Sequence, residues 1–368
     1  AESVEKGKWE GETVFLHKDG HEMPCKIKIT PTKDKDGNHI GYCGVTSSLK
    51  NKTADDIRPK INFSTKLFCW MVIMRLPFLT ATIVPILLGA AVASRYVTID
   101  WSYFALTMLG GFFLHIGTNT SNDYFDHTSG TDEANYNYMV PFSGGSRSIQ
   151  MGLISAKGML NLSIITFALS ALIGIPLIMK AGINILYLGF IGFLSGLFYT
   201  APPFRFASRK GMGEFLIGLN FGPLMVAGSY LVQTGGDMTQ IYDAILAGIP
   251  IGLLVAAIVY VNQFPDHDGD KATGKNNLVV VFGPEKARVG YVFLVIGSFI
   301  SIITLTLTKP ESFPMLSLIS LITSFYSVYT IKTLYKYYDN RLLQPANAGT
   351  IGLHFLTGLF FCAGIWLG

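Results

Sequence analysis

The stretch Asn119-Thr-Ser-Asn-Asp-Tyr-Phe-Asp126 ends a long apolar run, and its pattern nearly recurs in Asn262-Gln-Phe-Pro-Asp266-His-Asp-Gly-Asp270. In both stretches the asparagine precedes the first aspartate by four residues. Side chains at these spacings share one face of a helix. Two such faces turned towards each other form an oxygen-rich cage with surplus negative charge, which suits Mg²⁺ together with substrate phosphates. The pattern therefore predicts a metal-dependent diphosphate site at a membrane surface.

The composition around these stretches is that of a membrane protein. Hydrophobic residues make up 50% of the chain and charged residues 14%, whereas a soluble domain carries about 25% charged residues. A membrane-spanning helix needs about 20 mostly apolar residues, and the apolar runs predict an all-α membrane domain with nine transmembrane helices. The predicted spans are 68–94, 101–121, 158–179, 183–201, 213–233, 242–264, 289–308, 314–334 and 349–367.

Lysine and arginine are concentrated in alternate loops between these spans. Twelve follow the second, fourth, sixth and eighth spans, and three lie in the opposite short loops, at Arg95, Lys180 and Lys309. Cytoplasmic loops carry the excess of positive residues. The bias therefore predicts a protein of the cytoplasmic (inner) membrane, with the N-terminus and both acidic stretches inside and the C-terminus outside. The net charge of +4 is small and gives no argument for nucleic acid.

Residues 1–50 are polar and follow an alternating pattern. Runs starting at Glu12, Cys25 and Ile40, separated by turns at Asp19-Gly20 and Asp36-Gly37-Asn38, predict a three-stranded antiparallel meander. This segment resembles the C-terminal half of a PAS sensor domain. Most of the PAS ligand pocket lies in the other half, so we assign the segment no ligand. We expect a charged linker over 51–66 and the membrane domain over 67–368.

Several stretches of that domain are similar to motifs of the UbiA superfamily of intramembrane prenyltransferases. They are the two acidic stretches, the second extended to Lys275, with Arg75-Leu-Pro, Gly144-Gly-Ser-Arg147 and Tyr199-Thr-Ala-Pro-Pro203. The resemblance covers about residues 66–368 and is greatest to members that prenylate 1,4-dihydroxy-2-naphthoate. It implies nine helices around a central cavity in the lipid bilayer, Mg²⁺ as cofactor, and transfer from a polyprenyl diphosphate to an aromatic acceptor.

The resemblance also implies a role for particular residues. The metal ligands are expected to be Asp123, Asp126, Asp266 and Asp270, with Tyr199 shielding a carbocation near them. Residues expected to bind the diphosphate or orient ligands are Asn119, Asn262, Arg75, Arg147, Lys210 and Lys275.

Other positions near these motifs give further expectations. Asp268 is expected to point away from the carboxylate face, and His115 to be buried and hydrogen-bonded. Pro265 departs from the family pattern. Because proline lacks the amide hydrogen of a helical hydrogen bond, it favours a break in the sixth span before its carboxylates.

Two other interpretations remain open from the sequence. The same chemistry could act on another acceptor, such as 4-hydroxybenzoate, a chlorin, haem or a glycerol-phosphate lipid. Alternatively, the chain could be a membrane sensor or cation transporter, because transporters contain internal repeats and the two acidic stretches repeat one pattern. Placement of both stretches on the same side of the membrane argues against alternating access.

Overall fold

The computed structural model describes residues 7–17, 19, 21–33, 35, 39–58, 62–139 and 141–368. The chain divides into two compact units, residues 1–68 and 69–368.

The first unit contains a three-stranded antiparallel sheet in the order β1 (Trp9–Leu16), β2 (Glu22–Lys33) and β3 (His39–Ser48). Thr13 pairs with Cys25 across the first two strands, and Ile27 pairs with Thr46 across the next two. The short helix α1 (Ala54–Ile57) follows. The predicted meander is therefore confirmed, whereas its resemblance to a PAS domain stays a prediction. Gly20 and the predicted turn Asp36-Gly37-Asn38 lie outside the described residues.

The second unit is helical, and the boundary between the units falls within α2. The helices are α2 (Phe63–Ile73), α3 (Thr80–Ala93), α4 (Trp101–Thr128), α5 (Thr131–Ala134), α6 (Ala156–Ala181), α7 (Ile183–Leu197), α8 (Met212–Leu219), α9 (Met225–Gln233), α10 (Ile241–Ala272), α11 (Leu278–Phe282), α12 (Pro284–Thr308), α13 (Ser324–Tyr337) and α14 (Gln344–Leu367). A π-helical turn, Asn220–Leu224, joins α8 to α9. Segments of 3₁₀-helix, Leu76–Leu79 and Met315–Thr323, lead into α3 and α13.

Seven helical stretches of the described chain are long and apolar enough to cross a membrane. They are Leu76–Ala93, Ala156–Ala181, Met212–Gln233, Ile241–Ala272, Pro284–Thr308, Met315–Tyr337 and Arg341–Leu367. The two other predicted spans also form helices but are not among the seven. Helix α7 has only 15 residues. Helix α4 contains many polar and small residues, which lower its mean hydropathy.

Helix α10 lies at the centre of the unit, and it continues through Pro265 to Ala272. The predicted break before its carboxylates is therefore wrong. Proline leaves the carbonyl of Val261 without its usual helical donor. Asn347 of α14 replaces that donor, because its Nδ2 atom lies 3.3 Å from Val261 O.

Glycines bring the α8–α9 segment into backbone contact with α10. A Cβ atom on Gly222 would lie 2.5 Å from the carbonyl oxygen of Gly248, and one on Gly252 would lie 2.2 Å from that of Gly218. These positions admit no side chain, as is typical of closely packed membrane helices.

A polar network joins three elements at the N-terminal end of α10, opposite the end that carries Asp266 and Asp270. Asp243 is 2% exposed and accepts hydrogen bonds from Lys309 and Ser312. The hydroxyl of Tyr96 lies 3.1 Å from the same carboxylate. The network joins the loop after α3 and the loop after α12 to the start of α10.

Candidate active site

The loop between α5 and α6 donates hydrogen bonds to carboxylates of both acidic stretches. Asn135 Nδ2 donates to Asp266 Oδ1 at 2.6 Å, and the amide of Gly144 donates to Asp266 Oδ2 at 3.1 Å. The amide of Ser146 lies 3.2 Å from Asp123 Oδ1. One loop thus fixes the first aspartate of each stretch.

The backbone of this loop takes a strained path beside the carboxylates. Gly145 has φ +72°, and a Cβ atom there would lie 2.9 Å from Asp123 Oδ1. Arg147 also has a positive φ of 57°, a conformation that is costly for a residue with a side chain and that clusters at functional sites. Its guanidinium carbon lies 4.0 Å from the centre of the Tyr138 ring, and its Nη1 atom donates to the carbonyl oxygen of Asp132 at 2.5 Å.

Lys275 forms ion pairs with Asp126 of the first stretch and Asp270 of the second. Its Nζ atom lies 3.4 Å from Asp126 Oδ2 and 3.7 Å from Asp270 Oδ1. Burial alone lowers the pKa of this ammonium, but Asp126 and Asp270 outweigh burial and raise the pKa above its ordinary value. Lys275 is therefore a permanent cation between the two stretches.

The cluster contains more carboxyl groups than cationic side chains. Five carboxylates, including Asp132, face the cations Lys275, Arg147 and Arg75, and Arg75 acts electrostatically on Asp123. Burial, with the nearby charges of Asp126 and Asp123, raises the pKa of Asp132 to about 8. A buried set of carboxyl oxygen donors that outnumber the nearby cations fits the chemistry of Mg²⁺.

Three supporting asparagines were not found from the sequence, namely Asn135, Asn277 and Asn347. Asn277 Nδ2 donates to Asp270 Oδ2 at 2.7 Å, while Asn277 Oδ1 accepts from the amide of Val280 and caps α11. Asn347 Nδ2 donates to Asn262 Oδ1 at 2.8 Å. A polar residue before a short apolar helix is the signal that could have identified Asn277.

One buried glutamate was also not predicted from the sequence. Glu214 of α8 is 5% exposed, and its Oε1 atom accepts from the amide of Leu278 at 2.8 Å. Its Oε2 atom is buried without a hydrogen-bond partner among the described residues.

Two predicted residues lie apart from the carboxylate contacts. Lys210 is exposed and contacts none of the four predicted metal ligands within the part of the chain that the structure describes. Asn119 Nδ2 bonds the carbonyl of His115 within its own helix at 3.1 Å.

Four neighbouring polar side chains form two pairs outside the predicted metal ligands. The side chain of Asp268 is 76% exposed and pairs with His267, so its predicted outward direction is confirmed. His127 pairs with Glu133 at 2.7 Å.

An apolar cavity of about 560 Å³ lies between α3, α4, α6, α7 and the α8–α9 segment. Tyr199 lines this cavity and also interacts electrostatically with Lys275, Asp126 and Asp270. From Thr107 to Thr118 the cavity follows α4 for about 16 Å, at 1.5 Å per residue. Tyr199 therefore lies where the charged cluster meets the apolar cavity.

His115 is a second polar residue on the cavity wall. It is 5% exposed, and its Nδ1 atom lies 2.8 Å from the hydroxyl of Thr82. The prediction of a buried, hydrogen-bonded histidine is confirmed.

Long apolar helices with a charged cluster at one end of an apolar cavity define a membrane-embedded protein that handles amphipathic molecules. The model of the UbiA prenyltransferase family matches residues 82–361, so the chain belongs to this family. It is an integral membrane prenyltransferase.

Curated relatives and solved structures agree with this assignment. The chain is 30% identical over 221 residues to the 1,4-dihydroxy-2-naphthoate octaprenyltransferase of Bacillus subtilis, covering 60% of this chain and 67% of the relative. It is 28% identical to the Escherichia coli enzyme of the same name, covering 81% of this chain and 95% of the relative. A UbiA homolog from Archaeoglobus fulgidus, solved with DMAPP and Mg²⁺, is similar with TM-score 0.53 and 19% identity, covering 80% of this chain and 99% of that structure.

Proposed function

We propose that the protein transfers a polyprenyl group from a polyprenyl diphosphate to 1,4-dihydroxy-2-naphthoate in a Mg²⁺-dependent reaction. The acceptor is supported by the names of the Bacillus subtilis and Escherichia coli relatives. The donor and the metal are supported by the archaeal homolog that was solved with DMAPP and Mg²⁺.

One observation carries the proposal. Lys275 lies between Asp126 and Asp270, and Tyr199 connects this charged cluster to the apolar cavity. A polyprenyl diphosphate has the matching shape, because its headgroup is strongly anionic and its tail is apolar. The headgroup would lie at the cluster and the tail in the cavity.

The residues suited to hold Mg²⁺ are Asp123, Asp126, Asp266 and Asp270. When bound there, Mg²⁺ supplies charge neutralisation for the leaving diphosphate. Lys275 and Arg75 add positive charge at the same place. Asn135, Asn277 and the 135–147 loop hold the carboxylates in position, and such preorganisation is a main source of electrostatic catalysis.

The proposed reaction is balanced without an added proton. The bond between C1 of the prenyl chain and the diphosphate oxygen breaks, and the diphosphate leaves with the electron pair. The ring carbon that bears the carboxylate bonds to C1. Loss of CO₂ then returns an electron pair to the ring and restores its aromaticity.

The cavity protects the cationic prenyl carbon from water. Its wall is mainly apolar, and Tyr199 lines the cavity close enough to Asp126 and Asp270 to interact with them electrostatically. Aromatic faces attract cations most strongly where water is excluded. Tyr199 would therefore stabilise developing positive charge at C1 of the prenyl chain.

The proposal includes the topology predicted from the loops. We propose that α4 and α7 cross the bilayer together with the seven longer stretches, giving nine spans. The active site and N-terminus would then face the cytoplasm and the C-terminus the outside of the inner membrane, as the excess of lysine and arginine in alternate loops indicates. Residues 1–50 would be a separate PAS-like segment, joined by a linker at 51–66 to the membrane domain.

The test is an assay of purified protein with paired substrates. A long polyprenyl diphosphate is offered with 1,4-dihydroxy-2-naphthoate, 4-hydroxybenzoate or a glycerol-phosphate lipid, with Mg²⁺ or with EDTA. We expect a decarboxylated prenyl-1,4-dihydroxynaphthalene, a demethylmenaquinone-type product identified by mass, only with Mg²⁺. Faster prenylation of either other acceptor would refute the naphthoate assignment, and equal rates in EDTA would refute the metal requirement.

A further inference from the structure

The turn between β1 and β2 carries three side chains that bind metals and that prenyl transfer does not use. They are His17, Asp19 and His21. The amide of His17 donates to the carbonyl of His21 at 2.8 Å, so the two histidines form a cross-strand pair at the base of the turn. Asp19 lies at the tip of the turn between them.

The potential ligand atoms of these residues are close together. The imidazole ring centres of His17 and His21 are 4.5 Å apart, and Asp19 Oδ2 lies 3.0 Å from His17 Nδ1. One ligand atom from each residue lies within 4.8 Å of the other two. Tetrahedral coordination at the usual zinc distances needs ligand atoms about 3.3 Å apart. The two imidazole rings are stacked, with an angle of 29° between their planes, so both must rotate to direct a nitrogen at one ion. Asp19 and His21 are exposed and His17 is half-buried, which leaves room for that rotation.

We propose that His17, Asp19 and His21 bind one divalent transition-metal ion of the Zn²⁺ type. The ligands would be two imidazole nitrogens and one carboxylate oxygen, and water would complete the coordination. Imidazole favours Zn²⁺, Cu²⁺ and Ni²⁺, whereas carboxylate oxygens favour Mg²⁺. The turn site therefore differs in metal preference from the all-carboxylate cluster of the membrane unit.

The backbone of the hairpin prepares this site. The hydrogen bond between His17 and His21 fixes the distance between the strands where the two imidazoles leave the backbone. Beyond it, Leu16 pairs with Glu22 in the regular register of the sheet. A bound ion would link the ends of β1 and β2 and stabilise the folded hairpin, because a ligand that binds only the folded state adds to its stability.

The chain offers matched control residues elsewhere. His127 pairs with Glu133, and His267 pairs with Asp268. Each of these sites has one histidine and one carboxylate, whereas the turn has two histidines and one carboxylate. His127→Ala therefore removes one imidazole and leaves the turn unchanged.

The test is a Zn²⁺ titration of the whole 368-residue chain in detergent, in competition with a chromogenic chelator. Excess Mg²⁺ is present to occupy the carboxylate cluster. We expect one equivalent of Zn²⁺ per chain in the wild type and in His127→Ala. In His17→Ala and His21→Ala the affinity should fall by roughly tenfold or more, since losing even a supporting group costs 10–100-fold at metal sites.

Two further measurements keep the test decisive. His21→Gln retains a polar side chain of similar reach, and it should bind Zn²⁺ as weakly as His21→Ala does, with occupancy restored only at high Zn²⁺. X-ray absorption at the zinc edge should show two imidazole ligands in the wild type and fewer in His21→Gln. Unchanged Zn²⁺ affinity in the turn variants, equal weakening in His127→Ala, or no equivalent bound by the wild type would each overturn the proposal.

Discussion

Asn135 donates from Nδ2 to Oδ1 of Asp266 at 2.6 Å, although 131 positions separate the two residues in the chain. Asn135 lies in the loop that also holds Asp123 through the amide of Ser146. This hydrogen bond therefore connects the first acidic stretch to the second through a single loop. The same loop therefore positions Asp123 of α4 and Asp266 of α10. A change in the loop should displace both carboxylates.

Replacing Asn135 by alanine should lower prenyl transfer without unfolding the protein. The carboxylate of Asp266 would lose one of its fixed donors, and supporting groups of this kind typically contribute 10–100-fold in metal affinity or activity. The Mg²⁺ concentration for half-maximal rate should rise. Asn137→Ala is the matched control, because its exposed side chain lies two residues away and only its backbone amide contacts Asn135. Equal effects of the two substitutions would contradict this role.

Asp266→Asn should abolish most turnover, whereas Asp268→Asn should have little effect. Both substitutions remove one negative charge near the end of α10. Asp266 is bound by Asn135 and Gly144, while the side chain of Asp268 is 76% exposed. Loss of one electrostatic group in an active site costs roughly 10²–10³-fold in rate, and Asp123→Ala should behave like Asp266→Asn. Rates of diphosphate release measure the difference, and near-normal release by Asp266→Asn would refute the metal-ligand assignment.

Arg147→Lys should lower kcat more than it changes either KM. The guanidinium stacks on Tyr138 and donates to the Asp132 carbonyl, and an ammonium cannot reproduce both contacts. The loop that positions Asp123 would loosen. Separate titrations of donor and acceptor measure the two KM values. A selective rise in acceptor KM would instead place Arg147 against the acceptor carboxylate, and a selective rise in donor KM would place it against the diphosphate.

Gly228→Phe should shorten the prenyl chain that the enzyme accepts. Gly228 lines the apolar cavity, and a Cβ atom added to it would have Leu188 Cδ1 as its nearest neighbour, at 3.8 Å. A phenyl ring there would fill space needed by a long tail but not by a short one. The ratio of turnover with a long polyprenyl diphosphate to that with DMAPP should fall. Leu172→Phe, at a position 60% exposed on α6, should leave the ratio unchanged, and an unchanged ratio in Gly228→Phe would show that the tail lies elsewhere.

Asp243→Asn should destabilise the protein and leave the chemistry intact. The substitution removes the charge that binds Lys309, and a hydrogen bond to a charged group contributes about 1.5–3 kcal/mol. The thermal unfolding midpoint in detergent should fall, while prenyl transfer at low temperature should persist, because Asp243 lies at the opposite end of α10 from Asp266. The exposed Asp237, replaced in the same way, is the control and should shift the midpoint little.

Regular spacing in the sequence accounts for much of the architecture. The apolar runs predicted where the helices lie, and the alternating pattern predicted the sheet. The paired stretches predicted the faces that carry Asp123 and Asp266. These features depend on local periodicity, which a sequence displays directly.

The supporting groups depend on tertiary structure, and local pattern did not predict them. Asn347 belongs to the last helix, yet it bonds Asn262 and the carbonyl that Pro265 leaves without a donor. The expected break at Pro265 was wrong for this reason, because the compensating side chain comes from a different element. Asn135 likewise lies in a loop without regular periodicity.

The glycine contacts of Gly218, Gly222, Gly248 and Gly252 have a consequence for how donor preference can diverge among related enzymes. One wall of the cavity is formed by the α8–α9 segment, whose backbone is in contact with the backbone of α10. Most substitutions at these glycines would therefore disrupt the fold. The facing wall belongs to α6 and α7, whose outer surfaces carry many exposed apolar residues. Changes there can reshape the cavity while the rest of the protein stays in place. Natural variation in prenyl chain length should therefore accumulate on α6 and α7 and leave the glycine wall unaltered.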